Sequence, residues 1–414
     1  MMELFLSQQP IPEGTRRVIR LINPQQQDVE IFFDLVDETP PVPRTVDGFI
    51  VGVIFYAMRS GQPLRVHGPM TKEALCNLGT FQKAWTRWKP ALYRKIEIIP
   101  TEIVSPQTGT DGQAIAAFSG GVDSVFTILR HNRQQLGNAS YPLKYSVLMV
   151  HGFDVPLENP ASLEALKDRT APLLQELGLK LKIIRTNLRF QLLQDWNDSF
   201  MAQLACCLYN YAHEFEYALV GSSEAYDGLV LPWGSNPATD YLLSGGTMRI
   251  VHDGAGFSRT EKVAYIATNR TASKVVKVCW EGKEPHKNCG VCEKCIRTKA
   301  NFLAVGVTHP ACFDAPLDPR QIKTMSLSDD VLCAELESII VYAKTRGVTG
   351  KWLQSLQARV RAYRSPGRRR LKTAIRRIRT VWGLLTRGEV RELTTRIFRK
   401  LNQPWSSRSH LPPM

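Results

Sequence analysis

The 414 residues leave room for two or three domains, and 43% hydrophobic against 22% charged residues is ordinary for a globular protein. The longest apolar run, Phe49 to Met58, covers ten residues, about half of a bilayer crossing, and nine cysteines in so long a chain do not make a disulfide scaffold. The net charge of +15 is local: residues 344–408 hold 19 Lys and Arg against Glu389 and Glu392, which leaves 34 basic and 36 acidic residues elsewhere.

Met1 to Pro10 has neither a basic n-region nor a long apolar core, so no signal peptide is expected. Residues 1–110 alternate β-rich stretches, Arg17 to Ile22 and Asp28 to Leu35, with proline turns around Pro40 to Pro43. The Phe49 to Met58 run reads as a buried element, Met70 to Trp88 as a helix and Lys95 to Ile99 as a strand. Together these predict a small N-terminal α+β domain, with Thr108 to Gln113 as its linker.

The pattern then changes. Ala114 to Phe118 is short and continuously apolar, as a strand buried on both faces should be, and a helix is expected from Val122 to His131. Tyr145 to Val150, Lys182 to Arg185 and Tyr217 to Val220 read as further strands. Leu163 to Leu177 and Phe200 to Glu214 read as helices between them. Strands alternating with helices imply an α/β fold with a doubly wound parallel sheet over residues 111–310, with ligands at the carboxyl ends of its strands. Residues 311–414 are expected to form a helical, strongly basic region. After the break at Ser365-Pro366-Gly367, Leu371, Ile375, Ile378, Trp382 and Leu385 share one helical face, and Val390, Leu393, Ile397 and Leu401 share a second.

Between the first of these strands and its helix stands Ser119-Gly120-Gly121-Val122-Asp123-Ser124. Glycines let the backbone turn tightly and aim its N–H groups at an anion, and the helix N-terminus adds free donors and a positive dipole end. Ser119 and Ser124 can donate hydroxyls, while Asp123 can orient a serine or help to hold Mg²⁺. The loop lacks the Gly-Lys-Ser/Thr ending of a Walker A motif. In this setting it resembles the PP-loop ATP pyrophosphatase superfamily, whose signature is SGGxDS on a strand-loop-helix. That resemblance implies an adenine nucleotide alpha hydrolase-like sheet. It also implies ATP with Mg²⁺, and cleavage between the α and β phosphates to give an adenylate and PPi. It places His151 and Asp154 near the adenosine, after the second strand. Gly221 ends the fourth strand at the same edge. Lys262, with Arg259 the alternative, is expected to neutralise the leaving pyrophosphate. Ser258 to Glu261 also fits a capping box. Glu224, Asp227 and Asp240 fit either substrate recognition or solvated loops. Cys206 and Cys207 read as small buried hydrophobes.

Cys279, Cys289, Cys292 and Cys295 have the spacing C-x9-C-x2-C-x2-C, four thiolates from one excursion, which fits a closed Zn²⁺ site and a reducing, cytoplasmic compartment. An iron–sulfur cluster is the rival, although a ferredoxin-like run would put a cysteine where Lys299 stands. A PP-loop region followed by these cysteines resembles 7-cyano-7-deazaguanine synthase over residues 113–305. That enzyme adenylates a deazaguanine carboxylate and passes it to ammonia, giving an amide and then a nitrile. The family's Tyr-Pro-Asp-Cys-Arg-Pro-Glu-Phe stretch is replaced here by Leu231 to Asp240, which leaves the base and the acceptor amine open. Relatives stand in bacterial defence operons, where transfer to another amine, a protein terminus included, is also expected. The competing expectations are a tRNA-modifying PP-loop enzyme and an ATP sensor without turnover. The basic tail would serve RNA, a protein substrate, an anionic membrane surface or a docking partner.

Overall fold

A computed structural model describes residues 1–105, 112–133, 136–143, 146–192, 194–279, 281–282, 284, 286–327, 329–365 and 367. The two amphipathic helices expected between 371 and 401, and most of the linker at 108–113, lie outside the described residues.

The first part of the chain runs β1 (Met2–Ile11), β2 (Gly14–Ile22), β3 (Val29–Val36), α1 (Asp47–Ser60), β4 (Leu64–Thr71), α2 (Lys72–Trp88) and β5 (Ile98–Val104). There follow β6 (Ala114–Ala117), α3 (Val122–Asn132), β7 (Ser146–His151), α4 (Pro160–Glu176), β8 (Lys180–Thr186), α5 (Leu188–Gln191), α6 (Trp196–Tyr209), β9 (Tyr217–Gly221) and β10 (Arg249–Asp253). The last part is helical: α7 (Arg259–Ala267), α8 (Arg270–Val275), α9 (Glu293–Ala304), α10 (Pro319–Thr324), α11 (Asp330–Thr345) and α12 (Lys351–Arg364). Among the described residues no helix is long and apolar enough to cross a membrane.

The ten strands form one sheet in the order β10-β9-β6-β7-β8-β3-β2-β1-β4-β5. From β10 to β8 every neighbour is parallel, as the alternating pattern predicts. The side chains of β6 show why. Ile115 and Ala117 enter one buried core, Ala114 and Ala116 the other, so no face of this strand meets water. Helices α1 and α6 cover the first face, and α3, α4, α7 and α8 cover the second.

The sheet is mixed, and here the structure departs from the expected architecture. β3 pairs antiparallel with β8 through Phe33↔Thr186 and Leu35↔Ile184, and β2 and β1 continue antiparallel before β4 and β5 return to parallel. The N-terminal strands therefore extend the parallel half and cover its β8 edge, which would otherwise present unpaired backbone groups. One apolar core runs from Met2 to Ile250. Residues 1–110 and 111–310 consequently do not separate, and Met1–Ser355 forms one compact unit. A boundary at 311 is also absent, because α11 packs on α7 and α9. The second unit is Leu356–Met414, whose described part is mainly the end of α12.

The Phe49 to Met58 run is the buried centre of α1. It lies close against α6: a Cβ on Gly52 would meet the Cys206 sulfur at 2.7 Å. Burial pushes the thiols of Cys206 and Cys207 well above the usual range, which suits packing and removes nucleophilic character.

Candidate functional site

Strand β6 is the point where the order of the parallel half reverses, with β7 on one side and β9 on the other. The crevice beyond its carboxyl end is where sheets of this kind bind ligands. The Ser119–Ser124 loop occupies it. Gly120 has φ +72°, a left-handed turn that favours glycine. Gly121 is the N-cap of α3 and leaves the helix start without a side-chain cap. Local hydroxyls hold the loop together: Ser119 N–H donates to Ser124 Oγ at 3.3 Å, Gly121 N–H to Ser119 Oγ at 3.3 Å, and Ser124 Oγ to the Gly121 carbonyl at 3.1 Å. A Cβ on Gly221 would come within 2.7 Å of the Asp123 carbonyl oxygen, so its lack of a side chain lets β9 end against the loop.

Asp123 is held by two cations. Arg259 Nη2 donates to one carboxylate oxygen at 3.1 Å, and Lys262 Nζ donates to the other at 3.2 Å and also to the Ser222 carbonyl. Burial raises the Asp123 carboxyl, but Arg259 and Lys262 more than offset it and leave it below the usual carboxylate range. Lys262, only 1% exposed, therefore anchors Asp123 and does not itself line the cavity. Arg259 does. The capping box at Ser258 and Glu261 is present as well, and it starts the helix that carries both cations.

Loop and strand ends open into a cavity of about 710 Å³. Of the expected residues, Ser119, Gly121, Val122, Asp123, Ser124, Asp154 and Gly221 line it, and Gly120 shapes the loop behind. His151 does not line it: the ring is buried, and Nε2 lies 2.9 Å from the Pro156 carbonyl, which holds the turn after β7.

The charge of the wall was less legible. Arg189, Arg259, Lys277, Lys294 and Arg297 face the cavity against Asp123 and Asp154 alone, an excess that favours an anionic ligand. Lys277 is the most telling of them. It is 9% exposed, and its ammonium has no hydrogen-bond or ion-pair partner among the described residues. Burial lowers its proton affinity, so the site carries a desolvated cation that an anion would relieve. Its backbone N–H donates to the Gly120 carbonyl at 2.8 Å, which ties this segment to the loop.

The opposite end is aromatic. Phe153, Trp196, Phe200 and Trp233 line it, with ring centroids 5.1, 6.0 and 5.8 Å apart in succession, and Arg189 stacks on Trp196 at 4.1 Å. Beside them Ser235 lines the cavity and donates to Asp240 at 2.7 Å. Asp240 also takes the Asn236 N–H at 2.9 Å and faces His252 Nδ1 at 2.7 Å. Asp240 is thus a fully buried organiser of the Ser235–Asp240 turn and neither a solvated acid nor a direct reader of the cavity. Glu224 accepts from the Val230 N–H at 3.2 Å, and Asp227 is exposed on the same loop.

The sulfur atoms of Cys279, Cys289, Cys292 and Cys295 all lie within 4.8 Å of one another, with Cys279–Cys292 at 3.8 Å and Cys289–Cys295 at 3.9 Å. A Zn–S length of about 2.3 Å in a tetrahedron requires edges of about 3.8 Å, so the four thiols could bind a metal ion such as zinc. Hydrogen bonding to its neighbouring thiols holds the Cys292 thiol below the usual range. Asn288 braces this excursion, its amide donating to the Val276 and Cys312 carbonyls at 2.9 and 3.0 Å.

No family model matches the chain, and neither a curated protein nor a solved structure does. The geometry defines an α/β protein with a serine-glycine loop and an uncapped helix start at the switch point of its sheet. Beside that loop stand a cation-rich, aromatic-walled cavity and a four-cysteine cluster.

Proposed function

We propose that the chain is an AMP- and PPi-forming ligase that adenylates a carboxylate and passes it to ammonia or another amine. The observation that carries this reading is the convergence on one cavity of the uncapped α3 start, the serine loop and a buried Lys277 without a hydrogen-bond or ion-pair partner among the described residues. The polyphosphate of ATP would lie on the Ser119–Ser124 N–H groups, with Lys277 and Arg259 beside it. A carboxylate oxygen of the substrate attacks the α-phosphorus, the bond to the bridging oxygen breaks, and the electron pair leaves on pyrophosphate. The acyl adenylate then loses AMP to the amine, which surrenders a proton. The aromatic end suits a flat heterocycle carrying the carboxylate, and a deazaguanine-like base is such a group.

Both oxygens of Asp123 are committed to cations and Asp154 sits 3.8 Å from Arg189, so these residues do not fit a Mg²⁺ ligand set, and no step here runs through that ion. Zn²⁺ on the four cysteines would hold the excursion that carries Lys277 and Lys294 to the cavity. Exchange of radiolabelled pyrophosphate into ATP tests the reading. The wild-type protein is expected to catalyse exchange only when the carboxylate is present, and Asp123→Asn to lose it. Exchange at the wild-type rate in Asp123→Asn removes the basis for the loop assignment.

A further inference from the structure

Helix α11 lies well beyond the loop motif and the cysteines in sequence, yet one of its side chains reaches the cavity wall. Glu335 holds two of the wall's arginines at once. Its Oε1 lies 3.0 Å from Arg259 Nε, and its Oε2 accepts a hydrogen bond from Arg297 Nη1. Each arginine has a second acid: Asp123 for Arg259 at 3.1 Å and Glu293 for Arg297 at 3.0 Å. All three side chains are mostly buried, with exposures of 19% for Glu335, 14% for Arg259 and 12% for Arg297. Arg259 therefore stands between the glycine loop and α11, hydrogen-bonded to Asp123 and ion-paired with Glu335.

We infer that Glu335 is a positioning residue for this site: it fixes Arg259 and Arg297 facing the cavity, so that binding of a polyphosphate on the loop depends on α11. The inference rests on the adenylation reading and deepens it. A guanidinium is a planar fork whose value to an anion lies in its orientation, and one carboxylate can orient two such forks only by offering an oxygen to each. Gln at 335 would keep the shape but give one acceptor and one donor, leaving one arginine without its partner. Asp would keep the charge but retreat by one methylene.

The sign of the effect separates positioning from bulk electrostatics. Removing a negative charge near the cavity makes its potential more positive and, by itself, tightens an anion. Loss of orientation loosens it.

The test is calorimetric titration of full-length protein with ATP and, separately, with inorganic pyrophosphate, on wild type, Glu335→Gln, Glu335→Asp, Arg297→Gln and the double variant Glu335→Gln/Arg297→Gln. Melting temperatures measured alongside confirm that each is folded. Positioning predicts a Kd for ATP weaker by roughly tenfold in Glu335→Gln, a smaller loss in Glu335→Asp, and a double variant far from the sum of its single changes. Unchanged or tighter binding in folded Glu335→Gln overturns the inference and leaves the adenylation reading intact. Should Glu335→Gln fail to fold, wild-type affinity in Glu335→Asp overturns it equally. Wild-type protein that takes up neither ligand overturns the nucleotide reading, and this inference with it.

Discussion

Lys277 and Asp123 show two opposite ways of keeping charge inside a protein. Asp123 is compensated, and its loss would leave the buried Lys262 ammonium with the Ser222 carbonyl and the Phe126 ring but no acid. Breaking such a pair costs about 3–5 kcal/mol, so Asp123→Asn should lower the melting temperature as well as activity. Lys277 has no hydrogen-bond or ion-pair partner among the described residues, only the more distant charge of Asp154. Replacing it by Met removes a desolvated cation and keeps the apolar stem. Lys277→Met is therefore expected to hold or raise the melting temperature while weakening ATP binding by roughly tenfold. Equal ATP affinity in Lys277→Met and wild type, read by titration, would show that the cation serves no ligand. The sequence made Ser119 to Ser124 legible because that motif is contiguous and its chemistry is local. Lys277, Lys294 and Arg189 were not legible, since a lone basic residue gains meaning only when the chain brings it to another segment's loop. Lys262 and Arg259 were foreseen as a pair but with their roles unresolved, because spacing alone does not say which of two residues three apart on a helix faces inward.

Among the elements, the cysteine excursion links structure to function most directly. Its four sulfurs are pre-arranged for a tetrahedral ion, and the same excursion ties back to the loop through the Lys277 N–H on Gly120. Metal binding and local folding are coupled in such sites. Cys292→Ser should lose bound metal and thermal stability together, as measured by elemental analysis and calorimetry. Its folded fraction should also bind ATP less tightly, because Lys277 is no longer held. Normal metal content with an unchanged melting temperature would contradict this. Elements with a clean period were read within a few residues: β6, α3, β7 and β9. Others were hidden for identifiable reasons. α1 is apolar on every side and so shows no helical stripe. The residues preceding α2 belong to β4, and Thr71 is the actual cap, accepting the Ala74 N–H at 3.2 Å. β1 ends in polar residues and a proline, which mask its strand pattern.

Across the whole molecule, ten strands share one sheet, and the N-terminal five act as its extension and edge cover. The turn-rich composition of residues 1–110 suggests a separate domain. The β3–β8 pairing and the common core that override it are long-range contacts, which local patterns do not encode. The net charge divides in another way. Most of the basic excess lies after residue 344, so the body around the cavity is close to neutral and its five lining cations are a local concentration. On the adenylation proposal, these cations would draw a small anionic substrate to the cavity. The most direct test of the account is mass spectrometry of the products formed by the full-length protein with ATP, Mg²⁺, 7-carboxy-7-deazaguanine and ammonium. The account predicts AMP and PPi in equal amounts together with an amide or nitrile of the base. Intact ATP under these conditions and across a panel of other carboxylates and amines would contradict it.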